Sequence, residues 1–385
     1  MSDRPSFGSR VSQFWRRVTE GLELNQLWAQ FRADARSSYQ LYSRNVDLAR
    51  PAHVRRGKHF WNVVRQFFWA ILEQLSPARR VILLLALVLL VFSGPIGWHQ
   101  KTQNGGDFSF DFRFFSGLLL LVVLLLEVGD RVVMKRDLQI AREIQLWLVP
   151  AAPPQVPGLE IAFATRPANT VAGDYYDVFP RPASEPGATP QTFLFAVADV
   201  AGKSIPAALL MASFQAGLKT LSSTRCPLSE LVDGMNRYVC TNSQEGRRFI
   251  TALLAEFSPA TRTLAYVNAG HNAPLLRRAG GSIERLESGG LPLGIQEDAA
   301  YHPGAVTLQS GDWVAIFTDG LVEAANARNE EYGEQRVISV LQSGASETPT
   351  TVMSRLMVDL DFFVGNNLPL ADDITCMLIK AAASS

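Results

Sequence analysis

The sequence predicts an α+β protein built mainly on antiparallel sheets and preceded by a pair of apolar helices. Three observations lead there. From residue 159 onward, short runs with strand character and longer runs with helical character come in blocks rather than in strict βαβ alternation. Acidic residues stand where four separate strand-like runs break into turns. Within residues 81–133, two stretches are apolar enough to be membrane spans. At 385 residues, length alone indicates two or three domains.

Taken in order, the first eighty residues are basic, with fourteen Lys/Arg against six Asp/Glu, although the whole chain balances at 36 of each. Overall charge therefore gives no reason to expect a nucleic-acid partner, and none is expected. A basic front end beside apolar segments points instead to a lipid bilayer surface. From His59 to Leu75, Phe60, Val64, Phe67, Phe68, Ile71 and Leu75 recur at helical spacing. This reads as an amphipathic helix lying on the membrane face; a soluble helix packed against residues 10–50 stays open as the alternative.

Val81 to Trp98 is uncharged for eighteen residues, and Gly94, Pro95 and Gly97 end or kink it. Phe114 to Leu126 is apolar over thirteen residues between Arg113 and Glu127, and extends to a span if Arg113 snorkels outward and the helix continues through Val132 and Val133. A single span with an interfacial piece is the other reading. Arg79 and Arg80 precede the first stretch, and Arg131, Lys135 and Arg136 follow the second, which places both termini in the cytoplasm. The connector around Asn104-Gly105-Gly106 is too short to fold as a domain.

The expected organisation is a basic cytoplasmic helical region with the interfacial helix (1–78), a transmembrane helix (79–98), a short extracytoplasmic loop (99–112), a second transmembrane helix (113–133), a linker helix with a Pro-rich connector (134–157) and a C-terminal domain (158–382). In the linker, Val133, Ile140 and Trp147 repeat every seven residues with Ile144 interleaved, so this helix could pair with a second copy, giving a homodimer. Packing on its own domain is the plainer alternative. Pro150, Pro153, Pro154 and Pro157 end the helix.

In the C-terminal domain, strands are expected at Leu159–Thr165, Tyr175–Phe179, Phe193–Val200, Phe249–Phe257, Leu264–Val267, Trp313–Thr318 and Ile374–Ile379. Helices are expected at Ile205–Leu221, Pro227–Cys240, Gln335–Leu341 and Thr350–Phe363. Residues 181–191, rich in Pro, Ala and Gly, read as a mobile loop between two strands.

The acidic residues are Asp174 in AGDYYD, Asp199 ending FLFAVAD, Asp319 ending WVAIFTD, and Asp372-Asp373 opening DDITCMLI. A carboxylate half-buried at the end of an apolar strand is costly unless a cation meets it. With five His and with Cys226, Cys240 and Cys376 outside any C-x-x-C or H-x₃₋₅-H spacing, zinc is disfavoured. Carboxylates with carbonyl oxygens and water suit Mg²⁺ or Mn²⁺, and two such ions can activate a water towards a phosphate ester. No phosphate-binding G-x-x-x-x-G-K-[ST] loop and no Cys nucleophile signature is present.

From about Arg136 onward, the series AREIQLWLVP, AGDYYDV, ADVAGKSIPAALLMA, NAGHNAPLL, GGLPLGI, FTDGLVEA and ADDIT resembles, in order, the PPM-type serine/threonine protein phosphatases of the bacterial SpoIIE/RsbU-like branch. The resemblance implies a four-layer α/β/β/α sandwich behind the helical membrane hairpin, with two Mn²⁺ or Mg²⁺ ions at one end between the sheets. It implies that Asp199 touches both ions, Val200 offers a backbone carbonyl to the first, and Asp319 and Asp372 bind the second. Asp174 would approach the first ion through water, Asp373 would orient its neighbours, and Asp177 would stabilise the local turn. His271 is either a general acid or a residue organising the sheet end, and the second reading is preferred. Lys203 either attracts phosphate or is a solvated loop residue. Ser204 stands where the family commonly has glycine.

The implied function is a phosphatase in the bacterial inner membrane, with its catalytic domain and both termini in the cytoplasm. It would hydrolyse phosphoserine or phosphothreonine on a STAS-type anti-sigma-factor antagonist. A silent phosphoprotein-binding scaffold and a metal-dependent nucleotidyl cyclase are the rival classes.

Overall fold

The computed structural model describes residues 75–92, 99–101, 107–109, 112–181, 192–224, 226–243, 248–365 and 370–383, with a few positions between 65 and 73. The expected interfacial helix at 59–75 lies largely, and the 182–191 part of the expected mobile loop wholly, outside the described residues. The chain divides into two compact units, Met1–Val132 and Val133–Ser385.

In the first unit, α1 (Pro77–Phe92) and a two-stranded antiparallel ribbon, β1 (His99–Lys101) with β2 (Asp107–Ser109), precede α2 (Phe112–Leu148). The helices pack antiparallel: Ser116 Oγ donates to Ala86 O at 2.8 Å in a buried contact, and Arg79 pairs with Asp130 at 2.7 Å and Glu127 at 3.4 Å. Among the described residues one helix, α2, is long and apolar enough to cross a membrane; the described α1 has 16 residues. One expectation changes here. The division of span from linker at residue 133 does not interrupt the backbone, since α2 continues to Leu148 with Gly129 as its only breaker past Gly117.

The second unit is a sandwich of two sheets. One contains β4 (Tyr175–Pro180), β5 (Phe193–Val200), β6 (Ile250–Ser258), β7 (Thr263–Ala269), β10 (Gly289–Gly290) and β11 (Gly304–Thr307). Its order is β10-β7-β6-β5-β4, with β11 also on β7; only the short β10 pair is parallel. The other sheet runs β3-β13-β12-β8-β9, from β3 (Leu159–Arg166), β8 (Leu275–Arg277), β9 (Ile283–Arg285), β12 (Trp313–Phe317) and β13 (Ile374–Ala381).

Three apolar layers follow from the period-two geometry of strands. On β5, Leu194, Ala196 and Ala198 point towards α3 (Ile205–Ser222) and α4 (Leu228–Asn242), meeting Met211, Phe214, Leu231 and Met235. Phe193, Phe195 and Val197 point the other way, into the space between the sheets, against Val314, Ile316, Met377 and Ile379. On the far face of the second sheet, Trp313, Ala315, Phe317 and Leu378 meet α6 (Glu334–Ser343) and α7 (Pro349–Val364), a short α5 (Asp319–Val322) having opened this stretch. With both faces of both sheets covered, the central strands are near-continuous apolar runs, which is how FLFAVAD and WVAIFTD read in the sequence. The result is the expected α/β/β/α order. The expected long strands and helices are present within a few residues, and the short β8, β9, β10, β11 and α5 are additional.

Candidate metal centre

Four strand ends gather at one edge of the sandwich. Asp174 precedes β4 and Asp199 is the penultimate residue of β5; with Tyr175 paired to Ala198, the next rung of this antiparallel ladder sets Asp174 opposite Asp199. On the other sheet, Phe317 pairs with Cys376 and Thr318 N–H donates to Thr375 O at 3.0 Å, so Asp319 stands beside the Asp372-Asp373 segment entering β13. Gly320 rests on that segment so closely that a Cβ would lie 2.0 Å from Asp373 O, which only glycine permits. At Gly173 a Cβ would fall 3.3 Å from Val200 O and 3.8 Å from Asp199 Oδ1, which brings the Val200 carbonyl to the same edge.

Hydrogen bonds tie the two sheets together at this point. Thr318 Oγ1 accepts from Thr375 N–H at 2.9 Å and donates to Asp174 Oδ2 at 3.0 Å. Asp373 accepts from Ala168 N–H at 2.7 Å and from Gly173 N–H at 2.6 Å, holding the loop that carries Asp174, which is the orienting role expected of it. Lys203 Nζ lies 3.0 Å from Asp372 Oδ2 and also bonds Ala371 O, so it is a paired loop cation. Gln145, near the end of α2, clamps both backbone groups of Ala172: Nε2 donates to the carbonyl at 2.6 Å and Oε1 accepts from the N–H at 3.0 Å.

Electrostatically the cluster is under-compensated. Burial, then the charge of Asp199, pushes the Asp174 carboxyl well above the usual carboxylate range. Burial, then the charges of Asp319, Asp372 and Asp373, raises Asp199 to about 7. Asp319 is raised by burial and by Asp372. Among the described residues no three His, Cys, Asp or Glu side chains close into a metal cage, yet each of these carboxyls senses its neighbours' charge. Asp174 Oδ1 is buried with no hydrogen-bond partner. Hard oxygen donors, mutual repulsion and an orphaned buried carboxylate oxygen all fit divalent Mg²⁺ or Mn²⁺.

Other expected residues fall elsewhere. Asp177 is not in a turn: it lies within β4, where its Oδ2 accepts from Tyr175 OH at 2.8 Å and meets Lys219 Nζ at 2.7 Å. Its burial in the layer under α3 is satisfied by those two partners. His271 is buried; its Nδ1 is 3.1 Å from Thr251 Oγ1, and its backbone is clasped by Asn268 through bonds of 2.7 and 2.9 Å. Burial lowers its pKa to about 4, so it is neutral near pH 7, as suits a residue organising the sheet end. Ser204 sits at φ 66°, ψ −152° before α3. Two residues at the site lie outside the sequence expectations, Thr318 and Gln145. Thr318 is signalled only by being a hydroxyl between Phe317 and Asp319, and the Gln145 contact spans 27 residues.

The two stacked sheets, flanking helices and strand-end carboxylates define a PPM-type phosphatase fold. The chain belongs to the SpoIIE family: the profile described as Stage II sporulation protein E matches residues 189–382. It is similar to the phosphoserine phosphatase RsbU of Bacillus subtilis, 29% identical over 250 residues that cover 64% of this chain and 70% of that one. It is also similar to protein IcfG of Synechocystis, 24% identical over 280 residues, covering 66% of this chain but only 42% of that longer protein. Among solved structures, the SiaA-PP2C domain of Pseudomonas aeruginosa superposes with a TM-score of 0.55 at 20% identity, over 65% of this chain and 98% of that domain. The RsbU and RsbW domains of Rv1364c from Mycobacterium tuberculosis give 0.52 at 23% identity, over 62% and 64%. These two share the fold.

Proposed function

We propose that this chain is a membrane-tethered, Mn²⁺- or Mg²⁺-dependent protein phosphatase that removes phosphate from serine or threonine of a cytoplasmic signalling protein. The observation that carries the reading is the meeting of Asp174, Asp199, Asp319 and Asp372 from two sheets at one edge, with an unpartnered Asp174 oxygen among them. Asp199 and the Val200 carbonyl would hold the first ion, and Asp199 with Asp319 and Asp372 would hold the second. Bound there, two such ions supply an activated water and neutralise charge on the phosphoryl oxygens. Asp373 and Thr318 fix the loop and carboxylate they contact, so the ligand set is positioned before substrate arrives.

Family membership and the RsbU relative support a phosphorylated STAS-type protein as substrate. The apolar α2 supports a bilayer anchor, and Arg131, Lys135 and Arg136 after its most apolar stretch support a cytoplasmic position for the catalytic domain, residues 158–382. Along α2, Val133, Ile140, Ile144 and Trp147 are exposed, which supports pairing with a second copy. The intact carboxylate set disfavours a silent scaffold, and the family match disfavours a cyclase.

The test is phosphate release from phosphoserine proteins by the full chain in detergent, with Mn²⁺, with EDTA, and in Asp199→Ala and Asp319→Ala variants shown to be folded. Metal-dependent release that either substitution lowers by about a hundredfold or more is expected. Folded, metal-loaded wild type that binds phosphoprotein without releasing phosphate would refute the proposal in favour of the scaffold.

A further inference from the structure

An open groove of about 370 Å³ runs along α3, lined by Pro206, Leu209, Leu210, Ser213, Asn242 and Arg248. One wall is the solvent side of α3. Its opposite side is core, with Ala207, Met211 and Phe214 fully buried, but Ile205 and Leu209, one turn apart, are 49% and 66% exposed. The other wall is Arg248, the one charged residue of the lining, which makes no hydrogen bond or ion pair with any described residue. A half-buried guanidinium beside apolar side chains is a preformed receptor for a planar anion.

The position of Arg248 relative to the carboxylates is fixed by the sheet. Asp199 pairs with Thr251 and Val200 with Ile250, and Ala201 N–H donates to Phe249 O at 2.9 Å. Arg248 therefore stands about three rungs, on the order of 10 Å, beyond Asp199. Its guanidinium lies against the loop leading from Asp199 to α3, with one nitrogen 3.7 Å from where a Cβ on Gly202 would be. The ladder sets the Arg248 backbone about three residues away from the strand end that carries Asp199. That spacing matches the reach of a side chain about three residues along an extended peptide whose phosphorylated residue occupies the metal edge.

We propose that this groove is a specificity pocket for the substrate chain, in which Arg248 pairs with an acidic side chain about three residues from the phosphorylated serine while Leu209 packs against that side chain's stem. The inference rests on the phosphatase reading above and adds a sequence preference to it.

The experiment uses the full chain with Mn²⁺ and phosphoserine peptides bearing Glu, Ala or Lys three residues to either side of the phosphoserine. Wild type is expected to turn over the Glu peptide on one side with kcat/KM about tenfold or more above the Lys peptide, the size of one charge-assisted bond. Arg248→Lys retains part of that ratio, Arg248→Ala brings it towards one, and Arg248→Glu reverses it in favour of the Lys peptide. Reversal is a readout that a merely structural arginine would not give. A wild-type ratio near one on both sides, or a ratio unchanged in Arg248→Glu, overturns the proposal. Peptide binding by fluorescence anisotropy separates the two readings: Arg248-dependent binding of the Glu peptide without turnover refutes the phosphatase and leaves the pocket standing.

Discussion

Replacing Ser204 with glycine removes a Cβ from a backbone conformation that side chains oppose. Ser204 has φ 66° and ψ −152°, a region used almost only by glycine, in which another residue costs about 1–3 kcal/mol. Its hydroxyl makes no capping bond to α3, so nothing on the side chain offsets that cost, while its carbonyl already accepts the first helical bond from Ala208 N–H at 3.1 Å. Glycine gives back about 0.5–1 kcal/mol through the greater freedom of the unfolded chain. The net expectation for Ser204→Gly is a gain of about 1 kcal/mol, or a rise in Tm of about 2–4 °C for a domain of this size. Urea unfolding of the full chain in detergent should show a higher midpoint with an unchanged slope. Ser204→Ala keeps the Cβ and serves as the control. Equal stabilisation by alanine and glycine, or a loss with glycine, would refute the backbone argument.

Three further outcomes are expected. Asp373→Ala should weaken Mn²⁺ binding by about 10–100-fold in calorimetry without abolishing folding, because it frees the Gly173 and Ala168 amides rather than deleting a ligand; unchanged affinity would remove its orienting role. His271, with a folded pKa of about 4 against about 6.5 unfolded, binds fewer protons folded than unfolded between those values, so its contribution is complete above pH 6.5 and is lost as pH falls towards 4. The size is on the order of 3 kcal/mol, and a His271→Gln variant whose stability depends on pH as steeply as wild type over that window would contradict it. Ile140→Asp together with Trp147→Asp should shift the chain towards monomer in light scattering, since both side chains are exposed on α2; an unchanged mass in both forms removes the pairing helix.

The parts of the fold legible in the sequence are those in which local pattern and burial agree. Phe193–Val200 and Trp313–Phe317 announce themselves because both faces of each strand are covered, and an aspartate at or just past each end marks where the sheet stops. The clustering of Asp174, Asp199, Asp319 and Asp372 is readable for the same reason. Elements of two to four residues, such as Gly289–Gly290 and Leu275–Arg277, are shorter than any period and exist only because a neighbouring strand offers free backbone groups. Asp177 carries no mark distinguishing a turn from a strand; its Lys219 partner arrives from 42 positions away on α3. Thr318, Gln145 and Arg248 likewise matter through what tertiary packing sets beside them.

The Thr318 hydroxyl spans the seam between the sheets, receiving a bond from β13 and giving one to Asp174 at the start of β4. Asp174 and Asp199 belong to one sheet, while Asp319 and Asp372 flank strands of the other. An ion shared by this set would act as a rivet through two plates, and mass action would convert its affinity into resistance of the plates to sliding. Registry between the layers then becomes the quantity that catalysis reads. A displacement of one sheet by a fraction of a rung would leave the apolar interior closed to water and yet unmake the ligand set, so the enzyme could be silenced without being unfolded.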